Sequence, residues 1–214
     1  LYFDVKKLVQ QGSDWYFGEK KLKLFAAADL AFTEGTALAA VRRDYTAIAV
    51  IGIDVDGYIY ILGLDRFQTG KMDIYYEKIM DLHRYWGFRE ITVETNNGGK
   101  LVKGYLEDQV RREGGHLVVN GVAHVSHSGK KSERIEQILL PRYQNKTIYH
   151  SKSGITAMLE EELVLARPPH DDLKDVLAIC IAESKPPMKS GFTSKVINSA
   201  KKVTNRFGSN RRGR

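Results

Sequence analysis

Apolar residues along this chain occur either in short continuous runs or at intervals of three to four, and these patterns predict strands and helices. The run Lys23–Leu30 is almost entirely apolar after its first residue, as expected for a strand buried on both faces. Tyr45–Ile53 and Tyr58–Leu64 flank Asp54-Val55-Asp56-Gly57, and an Asp/Gly-rich break between β-branched or aromatic runs predicts a hairpin. The three runs therefore predict an antiparallel meander.

Helical spacing of apolar residues begins in Lys71–Trp86, and Gly87 is a typical residue to end a helix. The rest of the pattern predicts alternating elements: strand Glu90–Glu94, helix Lys100–Glu113, strand His116–His127 with a second hairpin around Asn120-Gly121, helix Ser132–Tyr143, strand Ile148–His150, and helices Ile155–Leu165 and Asp171–Glu183. This order predicts an α/β fold with a central mixed β-sheet flanked by helices.

The length of 214 residues allows one sizeable domain with appendages. We expect the domain to span residues 23–184, with residues 1–22 as a linker or N-terminal arm. The net charge of +7 resides in residues 185–214, which contain 9 Lys and Arg and no acid. The remaining 24 basic and 26 acidic residues give a net charge of −2. We therefore expect a basic, flexible C-terminal tail on a mildly acidic domain.

Two features bear on where the protein acts. No apolar run reaches about 18 residues, which predicts that the chain has no membrane partner. The single cysteine, Cys180, lies in an apolar helical run and cannot form an internal disulfide bond. A lone, buried thiol is typical of the reducing cytoplasm.

Carboxylates follow or open several of the predicted elements. Asp29 ends the first strand, Glu94 ends the fourth, and Asp171, Asp172 and Asp175 open the last helix. Taken singly, such acids are more often turn formers or helix N-caps. Gathered together they repel one another and raise each other's pKa, and a hard divalent cation with oxygen ligands relieves that repulsion. The pattern therefore predicts a metal-dependent enzyme acting on phosphate esters, with Mg²⁺ or Mn²⁺ preferred to zinc.

Asp172 and Asp175 are three residues apart and share one helix face at the edge of the buried stripe. The helix dipole favours anions at that end by a few tenths to about 1 kcal/mol, which is less than the repulsion among several clustered carboxylates. A cation is the simpler explanation for the cluster.

Several segments together resemble the nuclease domain of large terminases from tailed bacteriophages. These segments are Ala27-Ala28-Asp29-Leu30-Ala31, Arg43-Asp44-Tyr45-Thr46-Ala47-Ile48, Asp56-Gly57-Tyr58-Ile59-Tyr60, Val93-Glu94-Thr95-Asn96-Asn97, Lys130-Lys131-Ser132-Glu133-Arg134-Ile135 and His170-Asp171-Asp172-Leu173-Lys174-Asp175. They occur in the family's order and cover about residues 23–183. The resemblance implies an RNase H-like fold and a two-metal endonuclease that cuts concatemeric DNA during packaging.

The resemblance also implies roles for the acids. Asp29, Glu94 and Asp172 would be the core metal ligands, with Asp29 bridging two ions about 3.5–4 Å apart. Asp171 and Asp175 would be neighbours or alternative ligands, and which of the three helix acids binds which ion stays open. Asp44 matches an accessory acid that the family has after the first strand. Independently of the resemblance, His170 stands beside the acids and would either position water or phosphate or pack at the helix start.

Basic residues offer a way to hold DNA near these acids. Lys130, Lys131 and Arg134 stand at the start of a helix and are interpreted as a phosphate clamp, the alternative being a solvated helix start. The loop 96–100 after Glu94 would either approach a DNA backbone closely or form a plain strand-to-helix turn. His124 and His127 lack the further donors that a zinc site needs.

The chain contains no G-x-x-x-x-G-K-[ST] motif, so we expect the ATPase motor of large terminases to be missing from it. The resemblance implies double-stranded DNA as substrate. It also implies the viral portal, the small terminase and the ATPase domain of a full-length protein as partners, in the host cell cytoplasm. Two alternatives remain: another RNase H-like nuclease such as a Holliday-junction resolvase, and a non-catalytic module that binds DNA or the portal.

Overall fold

The computed structural model describes residues 1–31, 45–96, 98–124, 130–165 and 168–187. The strands are β1 Leu8–Gln11, β2 Asp14–Phe17, β3 Lys20–Asp29, β4 Thr46–Ile53, β5 Ile59–Phe67, β6 Glu90–Glu94, β7 Val118–Val122 and β8 Ile148–Tyr149. The helices are α1 Met72–Trp86, α2 Gly99–Arg112, α3 Lys130–Gln144, α4 Gly154–Val164 and α5 Asp172–Glu183, and a short 3-10 helix covers Val5–Lys7.

The strands form one mixed sheet around β3. Strands β3, β4 and β5 pair antiparallel in sequence order, which confirms the predicted meander. On the other side of β3, its last part pairs parallel with β6, and β6 pairs parallel with β7. Strand β8 extends the opposite edge by pairing parallel with β5. The predicted α/β fold with a mixed sheet flanked by helices is confirmed.

Each face of the sheet is covered by its own set of helices. One core contains Ala26 and Ala28 of β3 with residues of α1 and α2. The other contains Phe25 and Ala27 of β3 with residues of α3, α4 and α5. Because side chains alternate along a strand, Asp29 faces the same side as Ala27. The carboxylate that ends the central strand is therefore directed towards α5.

Residues 1–22, interpreted from the sequence as a linker or arm, form the 3-10 helix, the strands β1 and β2, and the first three residues of β3. Strand β2 pairs antiparallel with the first part of β3, so this segment extends the sheet. The Trp15 Nε1 group donates a hydrogen bond of 2.9 Å to the carbonyl of Trp86 at the end of α1, and both indoles are buried. The segment is thereby fixed to the domain by backbone pairing and by aromatic packing.

The predicted hairpin around Asn120-Gly121 is wrong. Both residues lie inside β7, paired with Thr92 and Val93 of β6. A Cβ atom at position 121 would lie 2.8 Å from the Cγ2 atom of Thr95, so this glycine allows a close contact rather than a turn. Within the described residues, no helix is both long enough and apolar enough to span a membrane.

Candidate metal centre

The parallel pairing of β3 and β6 brings two acids together. Ala28 pairs with Val93, so the next residues along, Asp29 and Glu94, lie side by side where both strands end. The carboxyl ends of parallel strands meet at one edge of a sheet, and functional groups commonly gather there. Asp29 also pairs with Ala47 of β4, so its backbone is held by that strand.

A third acid comes from the first turn of α5. Leu173, Val176 and Leu177 are fully buried and hold this helix against the sheet. Asp175 lies on the same side of the helix, with a side chain only 1% exposed. Asp29, Glu94 and Asp175 each direct one carboxylate oxygen into a group whose members all lie within 4.8 Å of one another.

The cluster is electrostatically costly without a cation. Burial raises the pKa of Asp29, the carboxylates of Glu94 and Asp175 raise it further, and the resulting pKa is about 7. Burial and the neighbouring Asp171 likewise raise the pKa of Asp172. At neutral pH, Asp29 is thus close to the point at which it gains or loses a proton.

Two cations from α3 offset part of the charge. Lys131 Nζ lies 2.9 Å from Asp175 Oδ2 and 3.5 Å from Asp171 Oδ1, and Arg134 Nη2 donates to Asp175 Oδ1 at 2.5 Å. Burial acts to lower the pKa of Lys131, but the Asp175 carboxylate outweighs it and the pKa is raised. Lys131 therefore stays charged beside the cluster. The Nε and Nη1 atoms of Arg134 are buried without a hydrogen-bond partner among the described residues.

Glu94 is oriented by the loop that follows it. Asn96 Nδ2 donates hydrogen bonds to Glu94 Oε1 at 2.8 Å and to the His124 carbonyl at 2.6 Å. A Cβ atom at Gly99 would lie 2.1 Å from the backbone oxygen of Glu94, so glycine is required where α2 begins. These contacts favour a structural reason for the Gly-rich loop, namely a tight strand-to-helix turn.

The other predicted site residues lie around the cluster or outside the described residues. Asp172 is half-buried and close enough to raise the pKa of Asp29, but the grouped acid from α5 is Asp175. Asp171 is the N-cap residue of α5. The exposed His170 packs edge-on against Tyr45, with ring centroids 4.8 Å apart. Asp44 lies outside the described residues, and Lys130 is described only as the first residue of α3.

Sequence reasoning missed three residues that support the site: Asn96 as a partner of Glu94, and the buried pair Arg66 and Glu162. The pair Arg66–Glu162 has an Nη1–Oε1 distance of 3.1 Å. Glu162 follows the fully buried Leu159 by three residues, which places both on one helix face, and this spacing was the available signal for Glu162. His124, considered and rejected as a zinc ligand, has a buried Nε2 without a partner among the described residues, and His127 lies outside them.

Residues 35–148, more than half of the chain, match the family model described as Terminase Bacteriophage T7, Ribonuclease H-like domain. The chain belongs to this terminase family. The expected RNase H-like fold and the resemblance to a terminase nuclease domain are both confirmed. No curated protein matches the chain significantly.

Solved structures similar to this terminase domain include two phage nucleases. The large terminase nuclease of thermophilic phage G20c has a TM-score of 0.54 at 15% identity, over 83% of this chain and 92% of that chain. A structure of the same nuclease with bound zinc has a TM-score of 0.52, also at 15% identity and over the same shares of the two chains. The second is the nuclease domain of the gp2 large terminase subunit of bacterial virus Sf6, a K428A mutant with manganese and β-thujaplicinol. It has a TM-score of 0.51 at 9% identity, over 77% of this chain and 89% of that chain. At these identities the likeness shows a shared fold.

The donor set of the terminase domain fits a hard divalent cation. The three grouped side chains offer only carboxylate oxygens, which Mg²⁺, Mn²⁺ and Ca²⁺ accept readily. The raised pKa of Asp29 reflects repulsion that such an ion would remove. Among the described residues, no Cys or His belongs to the group, so it lacks the ligands that zinc prefers.

Proposed function

We propose that this chain is a metal-dependent endonuclease that cleaves concatemeric viral DNA during genome packaging. The observation that carries the proposal is the meeting of Asp29, Glu94 and Asp175 within 4.8 Å, at the ends of two parallel strands and in the first turn of a helix. Family membership supports DNA as the substrate class, because the matching family is a terminase family.

In this proposal the three carboxylates would hold Mg²⁺ or Mn²⁺, and Asp171 and Asp172 are the candidates that would help to hold a second ion. Bound divalent ions supply positive charge next to the scissile phosphate and lower the pKa of a coordinated water. The protein's own residues do the positioning. Asn96 orients Glu94, and the sheet fixes Asp29.

Lys131 and Arg134 are proposed to contact DNA phosphates, with Lys130 beside them on the same turn. The position of these two side chains supports this role. Both form ion pairs with Asp175, so a phosphate close to the acids would also lie within their reach. Cationic side chains that contact phosphates set register and orientation on DNA. Asp44 and His170 are proposed to act at the rim of the same site.

Family membership is the support for the partners that we propose. The substrate would be double-stranded DNA in the host cell cytoplasm. The portal, the small terminase and an ATPase domain in the full-length protein would bring that DNA to the nuclease. The basic residues beyond 187 would bind either DNA or one of these proteins.

Nicking of supercoiled plasmid tests the proposal. Wild type is expected to nick the plasmid with Mn²⁺ or Mg²⁺, and the activity should vanish in EDTA and in Asp29→Asn. Asp108→Asn, which removes an exposed carboxylate on α2, is the matched control and should cut normally. Wild type that binds the plasmid but leaves it intact with both metals would favour a binding module instead. Preferential cleavage of four-way junctions over linear DNA would favour a resolvase.

A further inference from the structure

The helix that carries Asp175 is capped by a carboxylate from another helix. The first backbone N–H groups of any helix need acceptors from outside it. Asp171 is the N-cap residue of α5, yet its side chain makes no capping hydrogen bond. Instead, Glu162 of α4 accepts a hydrogen bond from the Lys174 backbone N–H through Oε2 at 2.9 Å. The start of α5 is therefore held by α4.

Glu162 is fixed on its other side by Arg66 of β5. Its Oε1 atom lies 3.1 Å from Arg66 Nη1, and the side chains of Glu162 and Arg66 are only 4% and 10% exposed. The guanidinium also lies over the Tyr45 ring, with its central carbon 4.7 Å from the ring centroid. A buried carboxylate between a guanidinium and a helix N-terminus has both oxygens satisfied and gains from the helix dipole.

Arg66 and Asp29 occupy the same row of the sheet. Asp29 pairs with Ala47, and Ala47 pairs with Arg66, so the three residues lie opposite one another across β3, β4 and β5. Directly opposed residues in antiparallel strands point to the same face. One row therefore presents Asp29 to the cluster and Arg66 to the residue that caps α5.

We propose that Glu162, held by Arg66, is a positioning residue for the carboxylate cluster; this rests on the proposed metal-dependent function. By tying the first turn of α5 to the row that contains Asp29, the pair sets the separation between Asp175 and Asp29. Because Glu162 accepts from the first turn of α5, the Asp171 side chain need not do so. Its Oδ1 atom lies 3.5 Å from Lys131 Nζ instead.

The test separates positioning from stability. The double variant Arg66→Met/Glu162→Met replaces a buried ion pair with apolar side chains of similar length, which commonly leaves stability unchanged or raises it. It nonetheless removes the cap of α5. We expect Mn²⁺ binding, followed by electron paramagnetic resonance, to weaken about tenfold, the lower end of the range for lost outer partners of metal ligands. Wild-type affinity in this folded double variant would overturn the proposal.

Two single variants give an independent comparison. Glu162→Gln keeps an oxygen that can accept from Lys174 but loses the charge, so its Mn²⁺ affinity should fall between wild type and the double variant. Glu161→Gln changes the exposed neighbour on α4 and should bind Mn²⁺ as wild type does. If the double variant does not fold, equal affinities of Glu162→Gln and Glu161→Gln overturn the proposal.

Failure of the positioning role and failure of the nuclease function give different results. Wild type that binds Mn²⁺ through Asp29 but leaves plasmid intact would refute the nuclease, while the loss of Mn²⁺ affinity in the Glu162 variants would still support positioning. Wild type that cuts plasmid, together with Glu162 variants of unchanged Mn²⁺ affinity, would refute positioning alone. Wild type that binds no Mn²⁺ and leaves plasmid intact with both Mn²⁺ and Mg²⁺ would refute both.

Discussion

The side-chain amide of Asn96 joins Glu94 to the end of the neighbouring strand. One Nδ2 group donates to the Glu94 carboxylate at 2.8 Å and to the His124 carbonyl just beyond β7 at 2.6 Å. The direction of the Glu94 carboxylate is therefore fixed by the relative positions of β6 and β7. This link makes Asn96 a testable outer partner of the cluster.

Asn96→Ala is expected to weaken Mn²⁺ binding about tenfold, because Glu94 loses the donor that orients it. Asn120→Ala is the matched control: it removes a 3.1 Å Asn–Glu hydrogen bond between the same two strands, to Glu90 at the far end of β6. Isothermal titration with Mn²⁺ measures both. If both variants lost the same Mn²⁺ affinity, Asn96 would affect metal binding only by holding β6 and β7 together, and not by orienting Glu94.

The contribution of Asp29 to the stability of the metal-free protein should fall as pH rises from about 4 to 7. In the folded state the pKa of Asp29 is raised to about 7, from 3.8 for a free aspartate side chain. Between these values the folded chain holds a proton that the unfolded chain has released, so the free energy of unfolding decreases with pH. Asp29→Asn cannot ionise and should raise the melting temperature in EDTA at pH 8, by about 2–4 °C for each kcal/mol of repulsion removed, with little change near pH 4.

Differential scanning calorimetry at both pH values, with Asp108→Asn as the exposed-acid control, tests this expectation. Added Mn²⁺ should stabilise wild type more at pH 8 than at pH 5, because the ion binds the ionised carboxylate. If Asp29→Asn raised the melting temperature more at pH 4 than at pH 8, this result would contradict the raised pKa of Asp29.

Asp175→Asn should have the opposite effect on the metal-free fold. It deprives Lys131 and Arg134 of their shared carboxylate, and we expect a loss of about 2 kcal/mol, below the usual figure for a fully buried pair because Lys131 is 44% exposed. Mn²⁺ binding should be lost as well. Asp172→Asn should retain more Mn²⁺ affinity, since Asp172 lies outside the group of three. Chemical denaturation and Mn²⁺ titration compare the two, and the reverse order of affinities would reassign the ligand on α5.

Removing residues 188–214 is expected to weaken DNA binding and flatten its dependence on salt, because the segment contains eight Lys and Arg and no acid. The truncation point spares Lys185, whose carbonyl accepts a hydrogen bond from Lys23. A variant of residues 1–214 in which those eight cations are replaced by Gln controls for length. Unchanged affinity and salt slope in both proteins would indicate that the segment serves a protein partner.

The alternation of strands and helices could be predicted because apolar spacing is a local property. Glu90–Glu94 was predicted with the bounds that the structure gives, and the helix predicted as Lys71–Trp86 begins one residue later at Met72. The hairpin predicted around Asn120-Gly121 was wrong for a non-local reason. A glycine that turns the chain and a glycine that admits Thr95 look alike in a sequence, and only the packing distinguishes them.

Two acids three apart could be placed on one helix face, but which of them reaches the sheet depends on how the helix is rotated. That rotation is set by the burial of Leu173 and Val176 and by the contact of Glu162 with Lys174. These contacts bring Asp175 to Asp29 and Glu94, whereas the resemblance placed Asp172 among the core ligands. Arg66 could not be anticipated at all, because its role depends on a register across three strands.

The three grouped carboxylates come from β3, β6 and α5, which is the last helix among the described residues. During synthesis, Asp29 and Glu94 leave the ribosome well before Asp175 does. Parallel pairing of β3 with β6 also demands a crossover that closes a long loop, which is a slow step in folding. Acquisition of Mn²⁺ by a refolding or nascent chain would therefore report completion of the whole domain, and a partly made chain would hold no assembled cluster.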